Sequence, residues 1–152
     1  MLINSLVIVM RKNKGSILIM EPNPEDREGL ADALRRQEYE VHTSGDFVHA
    51  LEKLRQKDFD CVIVNTYLPG LKGYEAASIL RQFSPTTELI MITNDNTREL
   101  EAKSRKEAIF YYYVKSPDIE ELVLAVNNLF EKLKVGRASN AAYPHKHKKF
   151  SQ

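Results

Sequence analysis

Cysteine, long apolar runs and phosphate-cradling glycines are all scarce in this chain, and each scarcity removes a class of protein. The 152 residues include one cysteine, Cys61, so no internal disulfide can form. Its setting, Cys61-Val62-Ile63-Val64, reads as a buried strand in which a thiol behaves as a small hydrophobe. A reducing, cytoplasmic environment is the expectation. The apolar run over residues 2–10 falls far below the roughly 20 residues that cross a bilayer. A secretory signal would carry its positive charges before such a run and a small-residue cleavage site after it, whereas Arg11, Lys12 and Lys14 follow it. Met10 opens a polar stretch suited to the start of a cytosolic chain, which makes residues 1–9 an expected upstream extension. The turn Glu21-Pro22-Asn23-Pro24 contains no glycine. Its two prolines lack amide donors and its acid would repel phosphate, so a nucleotide or flavin cradle is not expected there. No Ser-His-Asp or Cys-His spacing offers nucleophilic catalysis, and the chain is read as a non-enzyme.

What is present suits one globular domain with tails. Apolar residues make up 43% and charged residues 28%, and the length matches a single domain of about 100–150 residues. The net charge of +1 hides an asymmetry: all 21 acidic residues lie within 16–133, against 14 Lys and Arg there, leaving that segment at about −7. The basic remainder, Arg11, Lys12, Lys14, Lys134, Arg137, Lys146, Lys148 and Lys149, sits at the two ends.

From Ser16 onward, short β-branched runs alternate with helical patterns five times, which predicts βαβ units around a parallel sheet. Strands are expected over 17–20, 40–43, 61–64, 89–92 and 109–114. The first helix should begin at Pro24 behind the Asn23 cap, with Glu25 and Asp26 at the positive end of its dipole, and run to about Gln37. The second places Phe47, Leu51 and Leu54 on one face. The third follows Gly73 with Tyr74, Ala77 and Leu80 and stops near Ser84-Pro85. Residues 96–107 carry Leu100 almost alone as an apolar anchor, so this fourth helix should be the least firmly held. Asp118 is expected to cap the fifth helix, with Leu122, Val126, Leu129 and Leu133 along its face. Beyond Leu133 the periodicity stops and a flexible basic tail over 134–152 is predicted.

In an open parallel sheet the functional crevice lies at the carboxyl ends of the strands. Those ends hold Glu21, Pro22, Asn65, Thr93 and Lys115. With Ile17-Leu18-Ile19-Met20-Glu21, Asn65-Thr66-Tyr67-Leu68-Pro69-Gly70-Leu71-Lys72-Gly73, Ile92-Thr93 and Tyr112-Tyr113-Val114-Lys115-Ser116-Pro117, the segment 16–133 resembles the response-regulator receiver family. The resemblance implies an α/β, flavodoxin-like (βα)5 three-layer sandwich with strand order 2-1-3-4-5, working in two-component phosphorelay signalling. A working member has two acids after strand one and a phosphoacceptor aspartate after strand three. Here Pro22 and Asn65 stand at two of those positions, beside Glu21. A proline offers no ligand side chain, and a neutral amide is neither nucleophile nor the charged oxygen that magnesium prefers. Thr93, Tyr112 and Lys115 match the family's switch hydroxyl, switch aromatic and phosphoryl-contacting lysine.

The expected product is a degenerate receiver with no cofactor, binding magnesium weakly or not at all. Glu21 against Lys115 should leave the pocket near neutral, with Lys115 paired to Glu21 or bonded to the Asn65 carbonyl. Such a domain would act as a phosphorylation-independent interaction module, docking on a histidine kinase or another regulator, or pairing with itself through its fourth helix, fifth strand and fifth helix. It could stand alone or be a piece of a longer chain. Two alternatives stay open: the basic ends contact nucleic acid, or another aspartate, Asp60 or Asp95, accepts the phosphoryl group. Of the tyrosines 111–113 at least one should be buried. His145 and His147 are too few for a structural metal site.

Overall fold

The computed structural model of the protein describes residues 13–142, with side chains described through Ser139. Twelve elements follow in order: β1 (Ser16–Met20), α1 (Pro24–Arg36), β2 (Glu40–Ser44), α2 (Phe47–Gln56), β3 (Cys61–Asn65), β4 (Tyr67–Leu68), β5 (Leu71–Lys72), α3 (Gly73–Phe83), β6 (Glu88–Thr93), α4 (Arg98–Arg105), β7 (Tyr111–Val114) and α5 (Glu120–Ala142). The chain divides into two units, Met1–Ile119, which holds the sheet and α1 to α4, and Glu120–Gln152, which holds α5.

In the first unit five strands pair in parallel, in the order β2-β1-β3-β6-β7. Ile17 pairs with Val41 on one side and Cys61 on the other, Val62 with Leu89, and Ile90 with Tyr111. Discounting the β4–β5 hairpin, this is the order 2-1-3-4-5 implied by the resemblance. Central strands of such a sheet are covered on both faces and read as unbroken apolar runs. All five residues of β3 are buried. Alternation along each strand sorts the core in two. Leu18, Met20, Val62, Val64, Leu89 and Met91 pack with Ala50 of α2 and Ala76, Ala77 and Leu80 of α3. Ile17, Ile19, Ile63, Ile90 and Ile92, all fully buried, point to the other face. Burying a side chain the size of Leu80 contributes about 2 kcal/mol.

Local signals set the helix ends. Asn23 Oδ1 accepts the Asp26 amide at 3.0 Å, with Pro24 in the first turn, and the chain leaves α1 through Glu38 at φ 72°, a left-handed turn. Asp46 caps α2 through the His49 amide at 2.8 Å. Thr97 caps α4 through the Leu100 amide at 3.1 Å. The far end of α4 is held differently. The Arg81 guanidinium donates to the carbonyls of Thr87 at 2.9 Å, Ala108 at 2.6 Å and Glu107 at 3.2 Å, so one α3 side chain fastens the turn between α4 and β7. Within α4 only Leu100 and Ser104 are buried.

The turn expected at Pro69-Gly70 is present and closes the β4–β5 hairpin, with Gly70 at φ 70°. Two expectations need correction. The fifth sheet strand begins at Tyr111, two residues later than predicted: the chain leaves α4 through Ala108 at φ 55°, and the Phe110 amide makes the first bond to β6, to Leu89 O at 2.7 Å. The α5 helix starts at Glu120, and ahead of it in the chain the Asp118 carbonyl accepts the Tyr113 hydroxyl at 3.0 Å and the Ser116 hydroxyl at 2.8 Å.

The second correction concerns length. α5 continues to Ala142, into the segment predicted as an irregular tail. A loss of apolar periodicity signals loss of burial, not of helix. Gly136 alone costs only about 1 kcal/mol against alanine, and no proline intervenes before Pro144. Leu122, Val126 and Leu129 are buried, whereas residues 131–139 are exposed apart from half-buried Leu133. The predicted tail from 143 onward, including Tyr143, His145 and His147, lies outside the described residues, as do Arg11 and Lys12.

Candidate functional site: the carboxyl ends of the parallel strands

At the carboxyl ends of the five sheet strands, backbone bonds run between neighbours. The Glu21 amide donates to Ser44 O at 3.0 Å, the Thr66 amide to Ile92 O at 2.9 Å and the Lys115 amide to Thr93 O at 2.8 Å. Gly73, the first residue of α3, closes the cluster, donating its amide to Thr66 O at 2.8 Å. A Cβ at Gly73 would stand 2.5 Å from Asn65 O and 2.8 Å from Thr66 Cα, so only glycine allows this approach of helix to strand end.

On the β1 side the site is charged. Glu21, only 1% exposed, accepts the Asn65 side-chain amide at 2.8 Å through Oε1 and the Asn23 backbone amide at 3.1 Å through Oε2. Lys115 Nζ pairs with the same Oε1 and reaches Asp26 Oδ2 at 2.8 Å. The Asn65 carbonyl oxygen accepts the Tyr67 amide at 2.8 Å, so both ends of the amide are engaged. Lys115 therefore pairs with Glu21, one of the two expected arrangements, and not with the Asn65 carbonyl. The expected charge balance needs correction, because Asp26 adds a second carboxylate to the lysine. Read in sequence as a dipole-compensating helix residue, Asp26 also lies one turn into α1 on the side facing the strand ends. Its place three residues after the Asn23 cap was the signal available.

Pro22 is half-buried and contributes its carbonyl, which the Arg27 guanidinium approaches at 3.4 Å, with Glu21 O at 2.9 Å. The donor set does not suit a magnesium ion. Glu21 and Asp26 already share one ammonium, and the Asn65 oxygen faces a backbone donor, whereas magnesium demands near-octahedral, unpaired hard oxygens. Among the described residues no group of three or more His, Cys, Asp or Glu could hold a metal ion.

On the β6 side the site is neutral. Thr66 and Thr93 are both fully buried, and the Thr66 hydroxyl donates to Thr93 Oγ1 at 2.7 Å. Thr93 Oγ1 donates onward to Asp95 O at 2.8 Å and accepts the Asp95 amide at 3.2 Å. Sequence reasoning passed over Thr66 because a hydroxyl following a strand is common. Tyr112 is buried, with the Arg105 guanidinium 5.6 Å from its ring centre. Its hydroxyl has no hydrogen-bond partner. Burial pushes the phenol up from its ordinary value, and the nearby Thr93 hydroxyl opposes this without a bond of normal geometry. Tyr113 is buried as well, so two of the three tyrosines lie inside.

The two alternative acceptors lie apart. Asp60 precedes β3 at the opposite end of the sheet, where its carboxylate accepts the Ser16 amide at 2.9 Å. Asp95 is exposed just beyond Thr93. Cys61 is buried and burial raises its thiol far above the ordinary value, which makes it inert. Beside Lys115, a cleft of about 470 Å³ runs between α1 and the loop after β7, lined in part by Asp26, Leu30, Tyr113, Lys115 and Ile119.

Five parallel strands with polar residues gathered at their carboxyl ends define a doubly wound α/β domain with its site where such folds place it. The chain belongs to the response regulator receiver domain family, which matches residues 17–127, and its setting is two-component signal transduction. It is 34% identical over 77 residues to the transcriptional regulatory protein TcrA of Mycobacterium tuberculosis, a match covering 51% of this chain and 30% of that protein. It is 31% identical over 120 residues to the hybrid signal transduction histidine kinase D of Dictyostelium discoideum, covering 77% of this chain and 8% of that protein. The chain thus spans less than a third of either relative. Among solved structures, the response regulator TrrA of Thermotoga maritima, in complex with Mg²⁺-BeF, superposes with a TM-score of 0.68 at 29% identity, covering 76% of this chain and 98% of that one. No helix among the described residues is long and apolar enough to cross a membrane.

Proposed function

We propose that this receiver domain, over 16–133, works in two-component-type signalling without aspartyl phosphorylation. It is a non-enzymatic interaction module that docks on a histidine kinase or another regulator. Asn65 stands at the degenerate acceptor position, Glu21 and Pro22 at the degenerate acidic positions, and Thr93, Tyr112 and Lys115 are the retained switch and pocket residues. The observation that carries this reading is the closed polar circuit at the strand ends. Lys115 is bound to Glu21 and Asp26, and Glu21 to the Asn65 amide, so the groups that would receive a phosphoryl group and its metal already satisfy one another. Pairing with a second copy through the face that includes α4 and β7 belongs to the same proposal.

The test adds magnesium and beryllofluoride together and follows backbone amide resonances at Asn65, Thr93 and Lys115. No saturable shift is expected, and a saturable shift at those three residues would overturn the reading. Exposure to a small phosphodonor, followed by intact mass measurement, extends the test to Asp95. We expect no stable phosphoryl gain in the native chain or in Asn65→Asp, and a magnesium-dependent gain only in Asn65→Asp with Pro22→Asp.

A further inference from the structure

We infer that Thr66 is a positioning residue whose hydroxyl takes the place of an outside ligand at Thr93, fixing the loop from Asn94 to Thr97 and the start of α4. The inference rests on the phosphorylation-independent reading and names what holds the switch hydroxyl in that state.

Thr66 has almost no freedom. Its amide is bonded to Ile92 O, its carbonyl to the Gly73 amide, and its side chain is fully buried. Held at both backbone ends, its hydroxyl donates to Thr93 Oγ1 at 2.7 Å. A threonine hydroxyl has one proton to give and two lone pairs to receive with. At Thr93 the proton goes to Asp95 O, one lone pair takes the Thr66 proton and the other the Asp95 amide. The capacity of Thr93 is filled from within the chain, and nothing is left for a group placed over Asn65. The same saturation accounts for Tyr112, whose buried hydroxyl lies beside Thr93 yet has no partner.

Asp95 is the point where this matters for a partner. It is bonded to Thr93 through both its carbonyl and its amide, and two residues later Thr97 caps α4. Residues 94–99 are all exposed, so they have little apolar burial to hold them. The Thr66–Thr93–Asp95 chain of bonds is what seats them, and through them the leading end of α4.

Native-state amide hydrogen exchange tests this on the intact chain. Thr66→Val keeps the β-branched shape and removes the hydroxyl, Thr66→Ser keeps the hydroxyl and removes the methyl, and Thr93→Val removes the acceptor. Loss of one such bond should speed exchange at Asp95 and Leu100 by about tenfold in Thr66→Val, with Ile19 and Ile63 unchanged and native rates restored at the loop in Thr66→Ser. Adding Thr66→Val to Thr93→Val should produce no further change, because the bond is already gone. Loop rates unchanged in Thr66→Val, or equally fast in Thr66→Ser, would overturn the inference. Should Thr66→Val fail to fold, Thr66→Ser against Thr93→Val decides: equal loop protection in the two would overturn it. These outcomes are independent of beryllofluoride binding, so a domain that binds the analogue refutes the proposed function, whereas an unmoved loop refutes only the role of Thr66.

Discussion

The two halves of the site solve the same problem in different ways. On the β1 side three charged groups, Glu21, Asp26 and Lys115, are held together by ion pairing. On the β6 side Thr66 and Thr93 are joined by neutral hydroxyls. A buried ion pair is fragile to one-sided change, since removing either member strands the other in a medium that solvates it poorly. A hydroxyl pair is forgiving, because an isosteric apolar replacement leaves no charge behind. One-sided changes in the charged half are therefore expected to cost more stability than those in the hydroxyl half.

The harshest way to break this comparison is Lys115→Met, which leaves Glu21 buried and without its cation. A loss of about 3 kcal/mol, the low end for a broken buried pair because the Asn23 and Asn65 donors remain, is expected from urea denaturation. A loss under ~1 kcal/mol would mean that the two halves do not differ. Next is Gly73→Ala, which strikes both halves at once. The added methyl would press on Asn65 O, Thr66 Cα and the Met91 side chain, and a cost of about 2 kcal/mol is expected in the same measurement.

Tyr112→Phe sharpens the neutral half. Removing a hydroxyl with no partner should change stability at pH 7 by roughly zero to 1 kcal/mol in the favourable direction. Its pH dependence has a definite sign. The folded-state value of the phenol lies above its ordinary one, chiefly through burial, so the fold favours the protonated form. That contribution is intact below about pH 10 and is lost as pH rises through the folded value. Wild type should thus lose stability in alkali that Tyr112→Phe retains, and parallel alkaline melts of the two would refute this.

The smallest effect comes from an exposed counterpart of the charged half. Lys57 pairs with Glu40 at the sheet edge, and its hydrogen bond is the main cause holding the Glu40 carboxyl below its ordinary value. This stabilisation is present above the ordinary carboxylate range and lost as pH falls through the lowered folded value. Glu40 is 38% exposed, so solvent screening limits the difference between native chain and Lys57→Met to a few tenths of a kcal/mol. Melts at pH 7 and pH 3 should show that gap closing in acid.

How much of this was legible in the sequence follows from which signals are local. The strands around Leu18, Val62 and Ile90 were readable because buried parallel strands are apolar throughout, and Asn23-Pro24 announced the first helix by capping chemistry. The positions of Asn65, Thr93 and Lys115 could be read from the order of strand ends. The engagement of Asp26 and Thr66 could not, since it depends on distances between segments far apart in the chain. Residues 134–142 were misread for another reason: exposed helix leaves no periodic trace when nothing packs against it.

The Arg81 clamp has a mechanical consequence. With Arg81 bound to the carbonyls of Glu107 and Ala108 just past the trailing end of α4 and the leading end seated through Asp95, the helix is a short rod pinned firmly at one end and lightly at the other. Its eight residues make a lever of about 12 Å at 1.5 Å per residue. A swing of about ten degrees around the Arg81 pivot would carry Arg98 through roughly 2 Å while leaving Arg105 almost still. Whatever partner reads this surface meets its greatest compliance at Arg98 and Glu99 and its least beside Arg105.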